Sequence, residues 1–260
     1  LKQYGNPKPR VFRLVEDEAL INRLGFNNHG AEIVKDRIKR NKKLGLLGIN
    51  IGPNKDSSDR LNDYLIGLKT FYDDADYITI NISSPNTENL RSFHEGNKLQ
   101  DLLKSIMTER KNLKSNVPIA VKVSPDISEE QVSQITEILL EHEIKAIIVS
   151  NTSEASRDKL SNIQRHQKGG LSGKPIEIKS NILINKFYKL LNGKIKIIGV
   201  GGVDSGQAAY DKFLAGADFI QLYTGMVFKG PNIASIIKKD LKDLLLRDGV
   251  KNYTEIVGNK

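Results

Sequence analysis

The stretch Asn81-Ile-Ser-Ser-Pro-Asn-Thr87 gathers neutral donors and acceptors at one point of the chain. Asn81 and Asn86 each bring an amide and a carbonyl, and Ser84 brings a hydroxyl that its surroundings could turn into a base. The apolar alternation Tyr77-Ile-Thr-Ile80 before it reads as a buried strand. Pro85 ends that strand, because it has no N–H for a ladder and restricts the residue before it. A strand end this rich in amides and hydroxyls suits a small, planar, polar ligand.

Other chemistry-bearing residues recur at similar places. Asn50 ends an apolar run, and Lys122 lies within Ala120-Val-Lys-Val-Ser124. A lysine in an apolar strand is costly unless its charge has a partner, so it is either snorkelling to the rim or a fixed cation facing an anionic ligand atom. Ser150-Asn151-Thr152, Gly201-Gly202 and Tyr223-Thr224-Gly225 follow three further runs, and Lys168-Gly-Gly-Leu-Ser-Gly173 reads as a lid or a phosphate loop. Late glycines of this kind let backbone N–H groups and a short helix N-terminus close on a phosphate. The set points to a phosphorylated cofactor lying beside a second, planar ligand.

Positioning these residues requires a repeating scaffold, and the sequence supplies one. Arg10–Leu14 reads as a short strand, and Asn22–Asn28 joins a short apolar turn to a helix over about 31–42. From Leu46 on, apolar runs alternate with amphipathic segments. Strands are expected at 46–51, 77–82, 119–123, 146–149, 195–200 and 219–222, and helices at 59–74, 98–113, from 128, 176–191, 205–215 and 232–246. Ser128-Glu-Glu is a helix start, and Gly216 marks a helix exit. Continuous apolar strands alternating with helices imply a parallel sheet covered on its faces. The expected fold is therefore α/β, a (β/α)8 TIM barrel of which about six β/α repeats are present, forming one domain over residues 1–260. A closed barrel needs eight repeats, so two are expected to be missing from the N-terminal side; the opening Leu1, without an initiator methionine, suggests part of a longer product.

Composition narrows the chemistry further. The chain has 260 residues and no cysteine, which excludes disulfides, thiolate metal sites and cysteine catalysis; four histidines without metal-ligand spacing make a zinc site unexpected. No run of about 18 apolar residues is present to span a membrane. The net charge of +9 comes from lysines scattered through amphipathic segments, so it carries little information about partners. His29, His94, His142 and His166 read as surface or loop residues, Asp126 and Asp204 as helix-start residues, and Tyr72, Tyr77 and Phe187 as core.

The motifs Asn22-Arg-Leu-Gly-Phe26, Gly48-Ile-Asn-Ile-Gly52, Asn81–Thr87, Ala120-Val-Lys122, Ser150-Asn-Thr152, Gly169-Gly-Leu-Ser-Gly173, Gly199-Val-Gly-Gly202 and Gln221-Leu-Tyr-Thr224 resemble those of the class 2, quinone-dependent dihydroorotate dehydrogenases, here lacking the N-terminal part. The resemblance implies oxidation of dihydroorotate to orotate, with FMN as hydride acceptor and ubiquinone or menaquinone as final electron acceptor. It implies that Ser84 is the base, helped by Thr87 and Phe26, with Lys122 near the flavin. Asn22, Gly25, Phe26, Asn81, Asn86, Asn151 and Thr152 would contact the substrate. Asn50, Asn81, Lys122, Ser150, Gly173, Gly202, Tyr223 and Thr224 would hold FMN. The family's first barrel strand carries a substrate-contacting lysine in a motif upstream of anything here, as is the segment that docks on a membrane surface. The implied location is peripheral on the cytoplasmic side of a bacterial inner membrane, or the mitochondrial inner membrane in a eukaryote, with no nucleic-acid partner. The absence of cysteine argues against class 1 relatives, which use a cysteine base. Two rival readings are an FMN-dependent tRNA dihydrouridine synthase-like enzyme and a non-catalytic phosphate- or nucleotide-binding barrel remnant.

Overall fold

The computed structural model describes residues 1–41, 45–86 and 90–259. The chain opens with β1 (Val11–Leu14), β2 (Ala19–Asn22) and α1 (Ala31–Arg40). It continues through β3 (Gly48–Ile51), α2 (Arg60–Phe71), β4 (Tyr77–Asn81), α3 (Gly96–Asn112), β5 (Ile119–Val123), α4 (Glu129–Glu141) and β6 (Ala146–Val149). Then come β7 (Gly170–Gly173), α5 (Glu177–Leu191), β8 (Lys196–Val200), α6 (Gly206–Ala215), β9 (Phe219–Gln221), α7 (Thr224–Lys229) and α8 (Ile233–Arg247). The expected end of the first helix at Lys42 lies outside the described residues.

Among the described residues, β3-β4-β5-β6-β8-β9 form one parallel sheet and β1-β2-β7 a small antiparallel one. Alternation along the parallel strands sorts side chains between two environments. Ile78 and Ile80 of β4, Val121 and Val123 of β5, and Ile147 and Val149 of β6 join the main core beneath the helices. Tyr77, Thr79 and Asn81, together with Lys122 and Ile148, point the other way and line a cavity. The sheet is curled around that cavity. Gln221 Nε2 on β9 donates to the Tyr77 hydroxyl on β4 at 3.0 Å, whereas four strand spacings in a flat sheet would separate them by about 19 Å. Gly48 makes room for this tie, since a Cβ there would stand 2.2 Å from the Tyr77 ring.

The structure corrects several expectations. The glycine-rich segment 168–173 is no free lid: Gly170–Gly173 is β7, paired antiparallel with β2, and Ser153 and Leu171 exchange backbone bonds of 3.0 and 2.8 Å. The apolar turn before Asn22 is itself β2, and the short helix α7 directly follows β9. Tyr72 and Tyr77 are only partly buried, while Phe187 is core. Local helix signals hold. Ser128 and Gln131 form a capping box on α4 with bonds of 3.2 and 2.9 Å, and Gly216 closes α6 at φ 115°. Replacing Ser128 by Ala removes one cap bond far from the cavity, so it is expected to lower the stability measured by urea unfolding by about 1 kcal/mol.

Candidate active site

Register places the polar side chains of the parallel strands in layers. Asn81 pairs with Lys122 and Lys122 with Ile148 across β4, β5 and β6, and Asn50 lies beside Thr79. The Lys122 side chain makes no hydrogen bond or ion pair among the described residues. Burial among its neighbours pushes its ammonium below the ordinary lysine value, while the half-buried side chain still lines both cavities.

Around Lys122 the amides form a connected set. Asn81 Oδ1 accepts from Ser83 N–H and Ser83 Oγ, both at 3.2 Å, and more weakly from Asn151 Nδ2 at 3.5 Å. Asn151 Nδ2 also donates to Ser83 Oγ at 2.9 Å, and its Oδ1 accepts from Thr152 N–H at 2.8 Å. Behind the strand, the buried Tyr64 hydroxyl donates to the backbone oxygen of Asn81 at 2.7 Å. Ser84 is buried and its Oγ accepts from Asn86 N–H at 3.2 Å, while Asn86 Nδ2 reaches Asn22 Oδ1 at 3.4 Å. Gly25 and Phe26 both take left-handed φ, 70° and 54°, and the Phe26 ring lies against Gly52. This cavity of about 540 Å³ is also lined by Asn50.

A second cavity, of about 190 Å³, shares Asn22, Lys122, Asn151, Thr152 and Tyr223 with the first. Its far wall is Gly173, Gly201 and Gly202, all at positive φ, with Ser150, Tyr223 and the first residues of α7. Thr224 Oγ1 donates to Ser172 Oγ at 2.8 Å. Two carboxylates at this wall are neutralised by partners: Glu18 by Lys174 at 2.7 Å, and Asp204 by Lys229 at 3.1 Å. Thr152 Oγ1, on the shared wall, is buried without a hydrogen-bond partner among the described residues. A glycine-walled recess beside an amide-rich one, with a desolvated cation between, can hold an anionic group and a planar polar group side by side.

Of the residues singled out in the sequence, Thr87 lies outside the described residues. All the other residues that the resemblance assigns to the base, the substrate or FMN line one or both cavities. Sequence reasoning missed the brace behind them. Arg91 donates to the backbone oxygens of Ser83 (3.4 Å) and Thr152 (3.0 Å) and pairs with Asp126 at 3.2 Å and Glu154 at 3.1 Å. Asp126, expected only to start a helix, also accepts from Lys179, Ser153 Oγ and the Glu154 N–H. Its burial pushes the carboxyl up, but the bonds from Lys179, Ser153 and Glu154 outweigh this and hold it below the usual range. Asp204, the other expected helix start, is the partner of Lys229, and Ser205 caps α6 instead.

His94 is not a surface residue. It is buried, bonds the Arg91 carbonyl through Nδ1 at 2.9 Å, and accepts the Ser124 N–H through Nε2 at 3.2 Å. This pattern requires the neutral tautomer protonated at Nδ1. Burial pushes its pKa from 6.5 down to about 4. Between those values the unfolded chain binds a proton that the folded chain refuses. Stability is therefore complete above about pH 6.5 and is lost as the pH falls towards 4, by up to about 3 kcal/mol from this one group. Urea unfolding between pH 4.5 and 7 is expected to show a steeper loss on acidification for the wild type than for His94→Gln.

The sequence profile for dihydroorotate dehydrogenase matches residues 1–245. The dihydroorotate dehydrogenase (quinone) of Bartonella tribocorum is 47% identical over 258 residues, covering 97% of this chain and 71% of that protein. That of Agrobacterium fabrum is 43% identical over 258 residues, covering 98% and 71%. The crystal structure of DHODH from Eimeria tenella in complex with ferulenol superposes with a TM-score of 0.95 at 33% identity, covering 99% of this chain and 76% of that one. Profile, identity and superposition agree over nearly the whole chain, both cavities included: it belongs to the dihydroorotate dehydrogenase family.

Proposed function

We propose that the two adjoining cavities hold FMN and dihydroorotate together, and that the protein oxidises (S)-dihydroorotate to orotate with a quinone as final electron acceptor. The protein is an oxidoreductase of pyrimidine synthesis, the activity that its relatives' names carry. The single observation supporting the site is Lys122, an unpartnered desolvated cation on the wall shared by the amide-rich cavity and the glycine-walled one.

The residues present fit a flavin phosphate. Gly173, Gly201 and Gly202 offer backbone without side chains on the wall of the second cavity, beside the hydroxyl of Thr224. Gly173, Gly202, Tyr223 and Thr224 would take the phosphate arm; Asn50, Asn81, Lys122 and Ser150 would surround the ring. When bound, FMN supplies a two-electron acceptor for the substrate hydride and passes the electrons to the quinone. Ser84 Oγ takes the proton from C5 of dihydroorotate, and the Asn86 N–H on Ser84 Oγ favours negative charge there. Asn22, Asn81, Asn86 and Asn151 orient the pyrimidine and its carboxylate, with Gly25 and Thr152 beside it. Phe26 and Thr87 shape the path by which the proton leaves. Lys122 faces the negative charge that develops between the two ligands.

The curled six-stranded parallel sheet is read as part of a (β/α)8 barrel, in one FMN-binding domain over 1–260. Among the described residues no helix is long and apolar enough to cross a membrane. A quinone acceptor and bacterial relatives support a peripheral place on the cytoplasmic side of a bacterial inner membrane.

An anaerobic visible spectrum with FMN, before and after dihydroorotate, tests the reading. Dihydroorotate is expected to bleach the flavin band, and Ser84→Ala to slow that bleaching by about 10²–10⁴-fold while leaving FMN bound. A yellow protein that dihydroorotate leaves unbleached would overturn the substrate assignment.

A further inference from the structure

Lys212, on α6, has no exposed surface and lines neither cavity. Its Nζ donates to Asn181 Oδ1 at 2.8 Å and to Ser180 Oγ at 3.2 Å, both on α5. Ser180 Oγ in turn donates to the backbone oxygen of Val200 at 2.7 Å, and Val200 leads directly into Gly201-Gly202. The aliphatic stem of the lysine packs under the same strand: a Cβ on Gly199 would stand 3.1 Å from it. A hydrogen-bonded relay thus joins a buried ammonium to the end of the strand that carries the glycine wall. Its bonded partners are neutral oxygens, so its charge must find compensation elsewhere.

The acids facing Lys212 are Glu177 on α5 and Asp211 on its own helix. Burial holds the Glu177 carboxyl above its ordinary value; Asp204 and Asp211 act in the same direction, while Lys212 and Lys174 oppose. The side chain of Glu177 backs onto Gly202, where a Cβ would come within 2.3 Å of it. Among the described residues no acid on the other packed elements bonds or pairs with Lys212. On α8, Asp240 lies against Gly206; Asp248, just past that helix, bonds Tyr210 and Arg247. At the start of β9, Asp218 pairs with Lys196. Burial, opposed by Glu177 and Asp211, brings the Lys212 ammonium down to about 7.

We propose that Lys212 is the buried counter-cation of the glycine wall: a phosphate dianion entering at Gly201-Gly202 draws a proton onto Lys212, and the charged lysine holds the loop through Ser180 and Val200. The inference rests on reading that wall as the phosphate cradle. Its proton arithmetic has one sign. The complex binds more protons than the free protein, so FMN affinity falls as the pH rises from about 7 to the higher pKa of the complex, by at most tenfold per pH unit.

The test is titration calorimetry of the purified protein with FMN from pH 7.5 to 9, in two buffers of different ionisation enthalpy. A phosphate monoester, with a second pKa of about 6, is already dianionic there and adds no proton of its own. The wild type is expected to take up a fraction of a proton per FMN, with Kd weakening about 3–10-fold across the range. Lys212→Met, shown to be folded by circular dichroism, is expected to bind FMN with no uptake and a flat Kd. Glu177→Gln is expected to move the uptake to lower pH, and it decides the matter if the Met variant does not fold. FMN binding without proton uptake, uptake unchanged in Lys212→Met, or a Glu177→Gln profile identical to wild type would overturn the proposal and leave the cradle standing. A protein that binds no FMN would overturn both.

Discussion

A strand buried on both faces must send alternate side chains into two different environments, and this parity rule governs the molecule. On β4 and β5 one parity is isoleucine and valine, packed under the helices; the other is Tyr77, Thr79, Asn81 and Lys122. Neither set can move by one residue without sending the lysine and amides into the apolar layer. Curling the sheet then turns a polar face into a polar interior. The site thus needs no loop of unusual length: its central groups stand on strands whose registers are fixed by the packing on the opposite face.

The groups on loops are held differently. Ser84, Asn86, Asn151 and Thr152 follow strand ends, where no ladder fixes them, and the structure ties those ends together from outside. Arg91 bonds the carbonyls of Ser83 and Thr152, Asp126 anchors Arg91 and Lys179, and His94 joins the Arg91 carbonyl to the start of the next loop. Three successive strand ends are stitched by side chains that touch neither cavity. A planar guanidinium suits this work, because its fixed fork of donors can serve several oxygens at once.

Much of this was legible in the sequence, for reasons particular to each element. Apolar runs and amphipathic spacing identify β3 to β6, β8, β9 and most helices, since those segments are stabilised by the pattern that makes them readable. The amide and serine cluster after β4 is legible because its composition is poor for a simple turn. By contrast, β7 has the composition Gly-Leu-Ser-Gly, which carries no strand preference; only its pairing with β2 makes it a strand. The roles of His94 and Asp126 are not legible, because a lone titratable residue shows no periodicity and its burial is decided by segments distant in the chain. α7 is six residues long, too short for a helical repeat to register.

Phe26 adds a consequence of a different kind. Its φ of 54° belongs to glycine or asparagine country, and a phenylalanine held there costs the folded state on the order of 1 kcal/mol or more. Chain economy alone would leave that position bare. The amide-rich cavity thus takes this aromatic ring from a position where the backbone alone would favour glycine, so the ring is carried at a cost in stability.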